Sequence, residues 1–464
     1  MRNIFKKYPE QIRMTCMFLI LFICMSAFAV IQPYGDGPDE INRFKLVEYI
    51  YNHGTLPAGD HPEVLIDGYG ASYAFQPMLT YIIDGYLLKA ISFLEPSLEM
   101  RVLISRFVNI GFGLLTAYYV RKISRLLFKN EKTAWAFTLA IVFLPQNVFV
   151  HTYVNTDSMG LLSVAMVLYA IIKGLQDDYS KNTCIHMALG VILCALSYYN
   201  CYGIILCGVL AFFFHFVRSR IKTGKTTRSL YLDYKPLLKK GIFISIIVLL
   251  CISWWFIRNA ILYDGDFLAL TARQLCAAET GLEAFNPFTR DTYQRLGIPV
   301  MSMIFDTDYF TLVWKSFIAM FGPMLIPTHH YIYMAFRDLF FICVIGWFLP
   351  YKSSALHNVN PLRKAGINVI MLLAAIIPAF LAVYYSYTWE FQPQGRYFLP
   401  MIIPFMYFLT LGLEKIILLL SEPLKKYKEK AGNMVASGAY HLLYAFLTAC
   451  LLYATFVSMV GYYK

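Results

Sequence analysis

Gly35-Asp36-Gly37-Pro38-Asp39-Glu40-Ile41-Asn42-Arg43-Phe44 follows directly behind the first apolar run, and the stretch continues to His53-Gly54-Thr55-Leu56-Pro57. Three acids fall within five residues there. Pro38 suits a first helical position, which places Asp39 and Glu40 in the first turn, where the helix dipole favours negative charge. Ile41, Phe44, Val47 and Ile50 recur at near-helical spacing, and Gly54 can end the helix in the left-handed conformation. The reading is an amphipathic helix lying on a membrane surface, with carboxylates at its tip beside the bilayer. It decides the fold, because such a helix needs a span before it and further spans to close a bundle.

The rest of the chain supplies them. Of 464 residues, 58% are hydrophobic and only 15% charged, and the apolar runs reach the roughly 17–25 residues that cross a bilayer core. The chain therefore reads as a polytopic, all-α membrane protein. Arg2, Lys6, Lys7 and Arg13 precede an apolar core from Met14 to Ile31. That core is longer than a signal-peptide core, so it reads as a retained first span.

Eleven spans are expected, near 14–32, 103–120, 134–152, 158–174, 184–199, 203–217, 241–262, 335–350, 366–387, 398–418 and 438–461. The apolar runs 74–94 and 311–328 are read as interfacial or re-entrant. If 74–94 crossed, the loop holding Arg121, Lys122, Arg125, Lys129 and Lys132 would move outside, against the positive-inside rule. With both runs kept from crossing, the N-terminus is inside and 27 of the 40 Lys and Arg lie in cytoplasmic segments. The net charge of +12 thus follows from topology, and no nucleic-acid partner is needed to explain it. The expected location is the plasma membrane, with membrane lipids as the surroundings.

The remaining polar stretches gather on the exterior face: residues 33–102, His151-Thr152-Tyr153-Val154-Asn155-Thr156-Asp157, residues 263–334, and Trp389 through Tyr397. A carboxylate at the mouth of an apolar cavity can act as a general base, and partial burial with like-charged neighbours would raise its pKa toward a useful range. Asp36, Asp39 and Glu40 are the candidates, against the plainer role of capping the helix. Asp157 either N-caps the next helix or serves as a second acid that positions a hydroxyl or helps hold a cation. Arg258 and Arg396 carry guanidinium groups suited to phosphate; snorkelling to the interface is the alternative for Arg258. Gly395 before Arg396 lets backbone approach a ligand closely, and Tyr397 can stack on a sugar ring or anchor at the interface. Gln394, Gln76, His151 and Asn155 complete the expected substrate-binding set. Arg101 and Arg106 read as interface anchors. The ten cysteines show no metal-ligand spacing; Cys201 and Cys276, in exterior loops, permit a disulfide without requiring one. No P-loop, dinucleotide fingerprint or nucleophile elbow is present.

Taken in order, Pro38-Asp39-Glu40, Gly54-Thr55-Leu56-Pro57, Gln76-Pro77-Met78-Leu79-Thr80-Tyr81, the Arg101-to-Arg106 start of a span and Val154-Asn155-Thr156-Asp157 resemble the GT-C glycosyltransferases. Within them the resemblance is to the protein-mannosyltransferase and aminoarabinose-transferase branch, with allied bacterial families of membrane proteins. Trp255-Phe256-Ile257-Arg258-Asn259 and Gln394-Gly395-Arg396-Tyr397 resemble those bacterial families in particular. The resemblance implies a GT-C-like module over 1–262 with its first exterior loop at 33–102, and a variable module over 263–464 with the exterior loop 263–334. It implies an inverting enzyme that takes a sugar from a polyprenyl-phosphate donor and passes it to a glycan, lipid or protein hydroxyl at the cell surface. The family's base would map to Asp39, with Asp36 as a rival three residues upstream, and the donor phosphate would fall to Arg396 or Arg258. A divalent cation, Mg or Mn, is compatible with Asp36, Asp39 and Asp157 but not demanded. The competing readings are a flippase or transporter of lipid-linked saccharides and a polysaccharide polymerase or ligase. Early acids on one face and the lack of internal symmetry favour the transferase.

Overall fold

A computed structural model describes residues 9–221, 228–357 and 359–464. Arg2, Lys6, Lys7, Lys222 and Lys225, counted above on the cytoplasmic side, lie outside the described residues. Helices dominate. Among the described residues, seven helices are long and apolar enough to cross a membrane. They begin with α1 (Pro9–Ile31), which leads through the acidic stretch into α2 (Glu40–His53) and α3 (Leu79–Ala90). The long α4 (Leu98–Leu127) follows. The expected span 134–152 is broken by Pro145 into α5 (Glu131–Val142) and α6 (Pro145–Val150), because proline offers no N–H to continue the ladder. Next come α7 (Asp157–Asp177), the shorter α8 (Lys181–Ala195) and α9 (Gly203–His215). A hairpin of β1 (Val217–Ile221) and β2 (Arg228–Leu232) leads to α10 (Tyr234–Leu262).

The C-terminal part opens with α11 (Leu270–Thr280), α12 (Val300–Phe305) and α13 (Tyr309–Ile318). A two-stranded turn, β3 (Met320–Phe321) with β4 (Ile326–Pro327), precedes α14 (His330–Gly346). The helices α15 (Pro361–Thr388), α16 (Ile402–Tyr427), α17 (Glu429–Tyr453) and α18 (Val460–Tyr463) close the bundle.

Both ambiguous apolar runs stop short of a span. The first is α3, whose 12 residues rise about 18 Å against a hydrocarbon core of about 30 Å. The second ends as α13 and the β3–β4 turn.

A single apolar core joins α1, α4 to α9, α13 to α17 and the β3–β4 turn, with Phe28, Phe137, Phe149, Phe321 and Tyr407 among its buried aromatics. A second cluster of Phe44, Leu46, Val47, Tyr81, Leu88, Ile192 and Trp255 fixes α2 and α3 against α8 and α10. The surface helix is therefore fixed in place by its apolar face. At the opposite end of the bundle, Arg121 pairs with Glu10 and Glu131, and Asp178 gathers His215, Arg218 and Lys240.

Candidate active site

The site begins with a backbone irregularity. Asp39 takes φ 61° and ψ 11°, the left-handed region, and α2 starts one residue later at Glu40. Pro38 thus precedes the helix, and Asp39 is its N-cap residue without a side-chain capping bond. An L-residue pays roughly 1–2 kcal/mol for this conformation, which aspartate tolerates better than most. The strain swings the carboxylate off the helix axis. The apolar face of α2 shifts accordingly: Phe44, Val47 and Ile50 are buried as expected, but Ile41 is turned outward and Glu40 and Arg43 are buried instead.

What holds that arrangement is Arg106 of α4. Its Nε and Nη2 donate to the two oxygens of Glu40 at 2.8 and 2.6 Å, and Nη1 donates to the carbonyls of Ala29 and Gln32. The Val154 and Gly35 amides also donate to Glu40. Two buried charges hold together here because nearly every lone pair and N–H is used. Glu40 is fully buried and its oxygens are committed to this clamp. Arg106 is a joint between α1, α2 and α4, not an interface anchor, and Arg101 likewise reaches Glu48 at 2.9 Å.

Opposite Asp39 stands Arg396. Its Nη2 donates to Asp39 Oδ2 at 2.9 Å and to the Tyr397 hydroxyl at 3.3 Å. The side chain is 5% exposed, yet Nε and Nη1 meet no hydrogen-bond partner among the described residues. Gly395 makes this possible, but not by approaching a ligand: its N–H donates to Ser316 Oγ at 2.7 Å, and a Cβ there would sit 2.1 Å from the Phe317 amide of α13. The close approach is backbone to backbone.

Arg43, one helical turn along α2, is the residue that sequence reasoning passed over. It lies 3.7 Å from Asp39 and donates to Asp157 Oδ2 at 3.4 Å, with its guanidinium over the Tyr73 ring. The signal was present: an acid and an arginine at i and i+4 face each other on a helix. Two aspartates and two arginines therefore form one charge-balanced chain, Arg396–Asp39–Arg43–Asp157. Burial alone would raise the Asp39 pKa, as expected from the sequence, but the adjacent Arg396 and Arg43 outweigh it and bring it down to about 2.

The carboxylate of Asp39 is 39% exposed, and it faces a cavity of about 430 Å³. Asp39, Arg43, Gln76, Gln394, Arg396 and Tyr397 line it, together with Asn42, Arg273, Glu390, Gln392 and the tyrosines 69, 73, 198, 199 and 385. Leu270, Leu381 and Ala382 supply an apolar side. A cavity with tyrosine walls and a few convergent charges suits a sugar joined to an anion.

The other expected residues stand elsewhere. Asp36 accepts a 2.7 Å bond from Tyr463 of α18. Asp157 lies behind Arg43. Arg258 donates to the carbonyls of Leu56 and Pro57, tying α10 to the first loop. The Asn155 side chain caps the turn before α7, accepting from the Ser158 amide, and His151 pairs with Ser158 Oγ at 2.6 Å. None of these five lines the cavity. Asp36, Asp39 and Asp157 do not form a ligand set, and no group of three His, Cys, Asp or Glu among the described residues could hold a metal ion. All ten cysteines are free thiols; Cys201 and Cys276 are buried and unjoined.

The family model DUF2142, described as a predicted membrane protein, matches residues 79–405. No curated protein matches the chain. Among solved structures, the chain is similar to the archaeal oligosaccharyltransferase AglB from Archaeoglobus fulgidus, solved with an inhibitory peptide and a dolichol-phosphate. That match has 16% identity and a TM-score of 0.52, and covers 96% of this chain and 56% of that one. It is also similar to ArnT from Cupriavidus metallidurans bound to undecaprenyl phosphate, with 12% identity, a TM-score of 0.50, and coverage of 97% and 78%. The chain thus spans little more than half the length of the oligosaccharyltransferase. These matches show the GT-C fold.

Proposed function

The chain belongs to the DUF2142 family of predicted membrane proteins, and we propose that it is an exterior-facing glycosyltransferase using a polyprenyl-phosphate-linked sugar. The observation that carries this reading is Arg396: a buried guanidinium on the cavity wall with two nitrogens unpaired. A buried arginine left partly unsatisfied is costly, and a phosphate presents the acceptor oxygens that would complete it. The similarity to structures holding dolichol-phosphate and undecaprenyl phosphate supports the same donor chemistry.

In this reading the donor enters along the apolar wall of Leu381 and Ala382, with its phosphate on Arg396. The acceptor oxygen attacks the anomeric carbon, the bond from that carbon to the phosphate oxygen breaks, and the configuration inverts. The hydroxyl proton passes to Asp39, and polyprenyl phosphate leaves with its charge on Arg396, an electrostatic role that is often a large catalytic term. With the protein alone, Asp39 is a weak base at a pKa of about 2. A phosphate on Arg396 draws away part of that positive field and adds a negative charge nearby, so the donor itself makes Asp39 more basic. Arg43 holds Asp39 in place and links it to Asp157.

The test is donor use by Arg396→Ala. Its affinity for a polyprenyl-phosphate sugar should fall at least about ten-fold, the scale of one charge-assisted contact, with the unfolding midpoint little changed. Unchanged donor affinity would remove Arg396 from this role.

A further inference from the structure

The cavity contains one more cation than the proposed donor phosphate requires. Arg273 of α11 lines it, yet its guanidinium makes no hydrogen bond or ion pair with any described residue; its backbone N–H donates to the Ala269 carbonyl. Its charge is felt instead by the phenols of Tyr199 and Tyr385 on the same wall. The acids that might neutralise it are already engaged. Asp39 is held by Arg396 and Arg43, and Glu390 accepts the Tyr69 hydroxyl at 2.9 Å and lies 3.8 Å from Arg290. Arg290 in turn stacks over Trp389. Arg43, paired with both aspartates, keeps only its Nε unused; Arg396 beside the aspartate and Arg273 on another element face the same cavity with more N–H free.

We propose that Arg273 binds a second anionic oxygen group, a carboxylate or a phosphate, carried by the substrates. The inference rests on the proposed function, in which Arg396 takes the first phosphate. Planar guanidinium and two-oxygen anions match in geometry, and a cation without a protein partner is set free for a ligand. The second group has two sources: the outer phosphate of a diphosphate carrier, or an acidic group on the transferred sugar or its acceptor.

The experiment measures binding to the full chain in lipid nanodiscs, for wild type, Arg273→Gln and Arg273→Lys. Undecaprenyl phosphate, undecaprenyl diphosphate and glucuronate are the probes, with glucose as the neutral control. If the carrier supplies the second group, wild type binds the diphosphate lipid at least about ten-fold tighter than the monophosphate, and Arg273→Gln erases that difference. If the sugar or acceptor supplies it, both lipids bind alike and glucuronate, unlike glucose, binds wild type but not Arg273→Gln. Arg273→Lys retains part of the effect in either case, since it keeps the charge. Arg273→Gln indistinguishable from wild type in every arm overturns the inference while leaving the donor reading intact. Wild type that takes up glucuronate but neither lipid overturns the donor reading and keeps an anion site at Arg273. Wild type that binds none of the probes overturns both.

Discussion

Asp39 does its work through a backbone conformation that most side chains would resist. Its left-handed turn and the pull of Arg396 and Arg43 place an ionised carboxylate at the cavity wall, and the field of those arginines sets how it titrates. The folded-state pKa is lowered, to about 2, so Asp39 stays ionised as pH falls and protonates only near that value. Between pH 8 and pH 4, kcat/KM of the wild-type free enzyme should therefore show no acidic limb owing to Asp39; a wild-type limb near pH 4 to 5 would contradict the geometry. Arg106 carries a different burden. Removing it leaves Glu40 buried without its counter-charge, a loss of about 3–5 kcal/mol in comparable buried pairs. Arg106→Ala should lower the unfolding midpoint sharply, and Arg106→Met with Glu40→Leu should recover much of it, because the pair is then replaced by apolar contact. Equal losses in the single and double variants would mean that the clamp is not what holds the loop.

At the scale of elements, the first loop works as a platform: α2 and α3 lie on α8 and α10, and their packing points the tip of α2 into the cavity. Asp84 of α3 is the odd member, fully buried with neither carboxylate oxygen bonded. Burial pushes its pKa well up. An acid with a raised folded-state pKa binds more protons folded than unfolded, so stability is greatest in acid and declines as pH climbs past the ordinary aspartate value of about 3.9. The unfolding midpoint should fall from pH 5 to pH 8, and Asp84→Asn should flatten that slope; a slope unchanged by the substitution would clear Asp84 of the effect. Much of this level was legible in sequence. Apolar runs gave the helices, and Gly54 ends α2 at φ 70° as expected. That 74–94 does not cross follows from the positive-inside rule, whereas the expected unbroken span 134–152 overlooks the break at Pro145. The burial of Glu40 and Arg106 was not legible, since it depends on a pairing across 66 residues that neither local pattern reveals. For the same reason the loop glycine at 395 pointed to a ligand when its neighbour is α13.

Across the whole molecule, charge is sorted by end. One end carries the Asp178 and Arg121 clusters, and the other gathers the first loop, the turn before α7, α11 and the 389–397 segment around the cavity. Of the expected site residues, the cavity brings together Asp39, Gln76, Gln394, Arg396 and Tyr397, which come from widely separated parts of the chain. Asp36 and Arg258 had equal standing as residue types. What separated them was their distant partners, Tyr463 and the Leu56–Pro57 carbonyls. A lipid-linked donor reaching a polar cavity from an apolar side fits this sorting, and the GT-C fold supplies the frame.

The most direct test of the central claim is transfer from labelled polyprenyl-phosphate sugars by purified wild type and Asp39→Asn in liposomes. Glycosylated acceptor should form with wild type alone, while Asp39→Asn still binds donor and keeps its unfolding midpoint. If no sugar moves from any donor and the labelled lipid instead crosses the bilayer, the protein is a flippase and the transferase account is contradicted.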